Sequence, residues 1–145
     1  MVDLAKRIAA EKENVEKALA DLEEAMARKE KSTIELAAIA TFLHNIYNGI
    51  ENILKQILKT KGTGIPRSET SHKDLLDLSV SSEIISEKLS DQLYEYLTFR
   101  HFFIHAYGFM LEEANLDDLA DNIPNVWSQF LLAIQGYCGT SDNTV

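Results

Sequence analysis

The side chains in this sequence best suited to chemistry sit together in Phe99-Arg100-His101-Phe102-Phe103-Ile104-His105-Ala106-Tyr107-Gly108. A permanent cation, two imidazoles and a phenol fall within one short run, at the end of an otherwise apolar helical segment. This combination suits phosphodiester chemistry. An arginine binds and neutralises phosphate oxygens with a planar fork of donors. A histidine gives or takes a proton near neutral pH, because its unperturbed pKa is about 6.5. Tyr107 adds a donor within reach of a phosphate, or a hydroxyl that another enzyme can modify.

Helix geometry limits how these groups cooperate. At about 100° per residue, Arg100 and His105 leave a continuous helix roughly 140° apart and do not converge on one small target. His101 and His105, four apart, share a face. Two arrangements let Arg100 and His105 act together. Either the helix unwinds near His105, as Gly108 permits, or a second copy of the chain brings its own set across an interface. Both are expected. A different chemistry also starts from these residues: His101 and His105 are spaced as a zinc-ligand pair, with Glu112 or Glu113 as a third ligand.

The elements that must position this run read as helices. A chain of 145 residues with 46% hydrophobic and 26% charged residues has the length and composition of one soluble globular domain. In residues 2–28, Leu4, Ile8, Val15, Leu19, Leu22 and Met26 make one apolar stripe at helical spacing. Lys29 to Thr33 is a tight connection, with Ser32 as N-cap and Glu35 as its capping-box partner. Residues 33–59 are greasier, and read as a central helix buried on most sides. His44, Asn48, Glu51 and Lys55 form a narrow polar strip on it, expected to face solvent. Thr60-Lys61-Gly62-Thr63-Gly64-Ile65-Pro66 is a loop. It resembles a phosphate-cradling loop only superficially, since the G-x4-G-K-[ST] order and a preceding strand are both missing.

Ser71 caps a short helix carrying Leu75, Leu76, Leu78 and Val80. His72, beside Lys73, can belong to a small basic region with Lys55, Lys59, Lys61 and Arg67. Ser81 or Ser82 is expected to cap the next helix, which buries Ile84, Ile85, Leu89, Leu93, Tyr96, Leu97 and Phe103 and carries the Arg100 run at its end. Tyr94, Tyr96 and Phe99 read as core. Near a helix C-terminus the macrodipole favours a protonated histidine. Asn115 is a cap for 116–122, Pro124 restarts or kinks the helix, and Val126, Trp127, Phe130, Leu131 and Ile134 continue it. The expectation is an all-α, up-and-down bundle of four or five helices, one domain over 1–135 with a flexible tail over 136–145.

Charge and cysteine content narrow the setting. The net charge is −9, and no Lys or Arg follows Arg100. A chain this acidic repels a phosphate backbone at long range, which argues against a general nucleic-acid binder. It leaves room for a small basic pocket and suits a basic protein partner. A lone cysteine, Cys138, excludes an internal disulfide and fits a reducing compartment. No export signal or membrane span is expected, so the cytoplasm is the expected address.

Arg100-x4-His105-x-Tyr107 resembles the R-x4-H-x-Y signature of the HEPN superfamily, in its branch of minimal HepT-like ribonuclease toxins. The likeness extends to Tyr47-Asn48-Gly49-Ile50-Glu51-Asn52-Ile53-Leu54, the Ile65-Pro66 loop, Ser71-His72-Lys73-Asp74-Leu75-Leu76 and residues 119–130. Ile104 departs from it, standing where related sequences commonly carry a basic residue. The resemblance implies a homodimer with the two R-x4-H motifs meeting in an interface cleft. It implies metal-independent cleavage of cellular RNA, with Arg100 and His105 catalytic, His101 supporting, and no cofactor. It also implies neutralisation by a cognate nucleotidyltransferase of the MNT type, which transfers AMP to the motif tyrosine, here Tyr107. The alternative within this resemblance is a catalytically silent module that binds nucleotide or RNA, or scaffolds the nucleotidyltransferase.

Overall fold

The computed structural model describes residues 2–64, 71–105 and 113–139; the side chains of residues 2, 71, 101–105 and 113–115 lie outside that description. Within it the chain forms five α-helices and a short 3₁₀ turn, with no strand among the described residues. The helices are α1 (Val2–Met26), α2 (Thr33–Thr60), α3 (Ser71–Ser81), α4 (Glu87–His105) and α5 (Glu113–Ile134).

The 25-residue α1 is about 37 Å long at 1.5 Å per residue, and it lies antiparallel along α2. The register shows in its contacts: Arg7 donates to Gln56, Asn52 donates to Glu11, and Arg28 pairs with Glu35. Midway, Val15 presses into Gly49, where a Cβ would overlap the Val15 Cγ2 methyl. The expected stripe of α1 is the one that packs. Leu4, Ile8, Val15 and Leu22 are buried, and Leu19 and Met26 rest partly buried against the same core.

The expected capping box starts α2. Ile34 N–H donates to Ser32 Oγ, and Ser32 N–H donates to Glu35 Oε1. At the other end Thr63 N–H reaches back to the Leu58 carbonyl and Gly62 N–H to Lys59, with Gly62 at φ 80°. This is the glycine-terminated Schellman stop. α2 touches every other helix, and Ile39, Leu43, Ile46, Ile50, Ile53, Leu54, Ile57 and Leu58 are buried to 1% exposure or less. Ile34, at the helix start, is instead exposed.

Three local expectations need correction. The cap of α4 is Ser86, whose Oγ accepts from Leu89 N–H at 3.0 Å, rather than Ser81 or Ser82. Residues 81 and 82 belong to a second Schellman stop ending α3: Ile84 N–H donates to Ser79 and Glu83 N–H to Val80, with Glu83 left-handed at φ 60°. Ile84 and Ile85 are buried from this link, as apolar followers of the stop. Pro124 does not restart a helix, because α5 runs continuously from Glu113 to Ile134 with the proline inside it. Inside a helix a proline removes one rung and its ring crowds the carbonyl four residues back. One residue from the freed Ala120 carbonyl, Tyr96 of α4 donates its hydroxyl to the Leu119 carbonyl at 2.7 Å. Tyr94 is exposed under Lys73 rather than in the core, where Tyr96 is buried.

Beyond Ile134 the chain makes the 3₁₀ turn Gln135–Tyr137, and Tyr137 and Cys138 rest partly buried against the core. No described helix is long and apolar enough to cross a membrane.

Candidate functional site

The polar strip of α2 is where the site is built. His44, Asn48 and Glu51 recur at steps of four and three, which places them along one helix face, with Tyr47 alongside. That face does not point into solvent as expected. It meets α4 and α3. Glu51 is only 2% exposed, and His44 and Asn48 are half-buried.

Arg100 enters this strip from α4. Its Nε donates to Asn48 Oδ1 at 2.9 Å, and Asn48 Nδ2 donates in turn to His44 Nε2 at 3.0 Å. The amide therefore ties the guanidinium to an imidazole with its two ends. Binding through Nε leaves the two Nη groups, the edge that grips phosphate in a fork. Among the described residues no carboxylate forms an ion pair with Arg100. Burial chiefly, and the Arg100 charge after it, push the His44 pKa below the ordinary histidine value, against the pull of Glu51. A neutral His44 whose Nε2 accepts from the amide is consistent with that direction.

One turn further along α2, Glu51 holds His72 of α3. The His72 Nδ1 atom lies 2.9 and 3.0 Å from the two Glu51 carboxylate oxygens. The carboxylate is 3% exposed and the imidazole 37% exposed, so the pair has a buried root and an open tip. Tyr47 is buried between these groups. Burial first, then the Glu51 charge, drive its phenol pKa far up, while Arg100 opposes.

Among the residues expected from sequence, Arg100 is placed in full. α4 stays helical through His105, so no unwinding separates Arg100 from His105, and the roughly 140° divergence of a continuous helix holds between them. The side chains of His101 and His105 lie outside the described residues, as does Tyr107. So do Glu112 and the Glu113 side chain of the zinc alternative, and no metal-binding group of three or more His, Cys, Asp or Glu occurs among the described residues.

The residues that sequence reasoning misplaced are Glu51, assigned to a wet strip, and His44, read as an exposed side chain. His72, which the sequence allows in a small basic region, is the partner of a buried carboxylate, a role the sequence does not show. The signal was available in the strip itself. On a helix that is apolar on its other faces, polar residues at helical spacing mark either solvent or an internal polar seam. A carboxylate among them needs a partner if the face is covered.

Comparisons with known proteins bear on the family and the fold. No curated protein matches this chain. Among solved structures it is similar to YutE, a cytosolic protein of unknown function from Bacillus subtilis, with a TM-score of 0.62 and 20% identity over 92% of this chain and 94% of that one. A likeness at this identity bears on the helical fold alone. Residues 38–140 match the family model described as HepT-like protein, a span that takes in the α2 strip, His72 and the whole R-x4-H-x-Y run, and the chain belongs to that family.

Proposed function

We propose that this protein is a metal-independent RNA endonuclease, the toxin of a HEPN/MNT toxin–antitoxin pair acting in the cytoplasm. The observation that carries the reading is Arg100. It is half-buried, oriented through Nε by Asn48, paired with no described carboxylate, and it opens an R-x4-H-x-Y motif in a HepT-like chain. A half-buried arginine whose fork is engaged by no described residue is suited to a phosphate.

The chemistry follows from the groups available. The RNA 2′-hydroxyl loses its proton and attacks the adjacent phosphorus; the bond to the 5′-oxygen breaks, and that oxygen takes up a proton. The products are a 2′,3′-cyclic phosphate and a free 5′-hydroxyl. His105 serves one of the two proton transfers. Arg100 stabilises charge developing on the phosphorane, a preorganised donor of the kind worth about 3–4 kcal/mol. His101 orients the phosphate. Because Arg100 and His105 diverge on one helix, a homodimer supplies the pair across its interface. The net charge of −9 makes recognition of RNA a local matter, confined to this cleft.

The antitoxin in this reading is a small MNT-type nucleotidyltransferase that moves AMP from ATP to Tyr107. The added bulk and negative charge occupy the cleft and repel the RNA backbone.

The test expresses the chain alone beside Arg100→Ala and His105→Ala, scoring growth, RNA integrity and product ends. Arg100→Ala is expected to slow cleavage ~10²–10³-fold and His105→Ala ~10²–10⁴-fold, with EDTA leaving the parent rate unchanged. Cleavage by both variants at the parent rate rejects the assignment. With the nucleotidyltransferase and ATP, the parent chain is expected to gain one AMP by mass spectrometry and Tyr107→Phe to gain none.

A further inference from the structure

The reaction proposed above needs two proton transfers. Within one chain two described imidazoles meet the α2 strip that holds Arg100: His44, whose Nε2 is taken up by the Asn48 amide, and His72 of α3, held by Glu51. Its anchor, Glu51, lies three residues from Asn48, the anchor of Arg100, and side chains so spaced on a helix are about 5–6 Å apart at Cβ. Glu51 and Arg100 both act on Tyr47 and on His44, which places the two anchored groups around the same pair of side chains.

The Glu51–His72 pair also has the construction of a proton-transfer dyad. The carboxylate is buried at 3% exposure and both its oxygens meet Nδ1, at 2.9 and 3.0 Å. Donation from Nδ1–H fixes the tautomer, so the lone pair of the neutral ring is on Nε2. No described residue occupies Nε2, and the ring is 37% exposed. A buried carboxylate that orients an imidazole and leaves its far nitrogen open is the arrangement by which a histidine is prepared as a general base.

We propose that His72, oriented by Glu51, is a catalytic residue of the RNA site, the general base whose Nε2 takes the 2′-hydroxyl proton. The 2′-oxygen then bonds to phosphorus, the P–O5′ bond breaks, and His105 supplies the proton taken up by the departing 5′-oxygen. Solvent afterwards removes the proton from His72 and returns one to His105. This rests on the RNase reading given above.

His72→Asn is the informative variant, because an Asn side-chain N–H stands close to the position of Nδ1 and keeps the bond to Glu51 while removing the proton acceptor. It is expected to melt like the parent and to lose ~10²–10⁴-fold in kcat with KM changed only a few-fold. His72→Ala is expected to be as slow and to regain cleavage when imidazole is added; Arg100→Ala is expected to gain nothing from imidazole. Parent-level cleavage by His72→Asn, beside an inactive Arg100→Ala, overturns the role of His72 while leaving the RNase reading intact. A slow His72→Asn with no imidazole rescue of His72→Ala assigns a positioning role and overturns the proton transfer. A parent chain that cuts no RNA, or an Arg100→Ala variant that cuts as well as the parent, overturns the RNase reading and this inference with it.

Discussion

Asn48 is the smallest part on which the arrangement turns. Its amide spends one end on Arg100 and the other on His44, so Asn48→Ala frees the guanidinium to rotate. The expected outcome is a fall in kcat of roughly tenfold or more, from lost preorganisation of a charged donor, with Asn48→Asp worse because a carboxylate there would hold the arginine as an ion pair. Single-turnover cleavage measures it. His44 gives a second prediction, with a definite sign. Its pKa in the folded protein is lowered, by burial first and by the Arg100 charge second, while the unfolded chain titrates near 6.5. The unfolded state therefore takes up a proton first as the medium is acidified. This contribution to stability is complete above about pH 6.5 and is lost as the pH falls from there toward the folded value. Melting temperature is expected to drop on acidification, and His44→Gln, whose Oε1 can accept from the amide, to drop less steeply over the same range.

At the scale of elements, the α1–α2 hairpin is set by one close approach. Gly49 lets α1 sit against α2 at Val15, and a Cβ there overlaps the Val15 Cγ2 methyl. Gly49→Ala sets an overpacking cost of about 1–3 kcal/mol against a helix-propensity gain of about 1 kcal/mol. The expected result is net destabilisation, read as a lower urea midpoint at unchanged m-value. Glu83 predicts the opposite. It holds a left-handed conformation at φ 60°, which costs a side-chain-bearing residue roughly 1–2 kcal/mol. Glu83→Gly is expected to raise stability by about 0.5–1 kcal/mol after the greater freedom of glycine in the unfolded chain is counted. These elements also show what the sequence makes legible. The α1 stripe, the Ser32–Glu35 box and the buried face of α2 follow from periodicity and capping, which act over a few residues. The cap of α4 was displaced because Ser81 and Ser82 are as good cappers as Ser86, and only the stop at Glu83 decides among them. Arg100 was legible from its motif. The Glu51–His72 and Arg100–Asn48 bonds join residues 21 and 52 positions apart, and no local pattern announces such partners.

For the whole molecule, the composite nature of the proposed site is open to direct trial. If Arg100 of one copy works with His105 of another, Arg100→Ala and His105→Ala are each slow alone, yet mixing the two restores cleavage through dimers that contain one intact set. Cleavage per chain is then expected to fall on dilution below the dimer dissociation constant. Mixtures that stay inactive, from chains shown to exchange subunits, would place both groups in a single chain.

The division of the site between early and late helices has a consequence for how the protein comes into being. Asn48 and Glu51 lie on a hairpin that is finished by Thr60, and this local pairing can form while the rest of the chain is still being made. Arg100 emerges forty residues later, and the Tyr96 bolt to Leu119 needs α5 as well. A ribosome that stalls midway thus releases a fragment with the sockets and no guanidinium. The parts of the proposed site therefore come together only after α4 and α5 have been made, and the nascent α1–α2 hairpin by itself presents no cutting group.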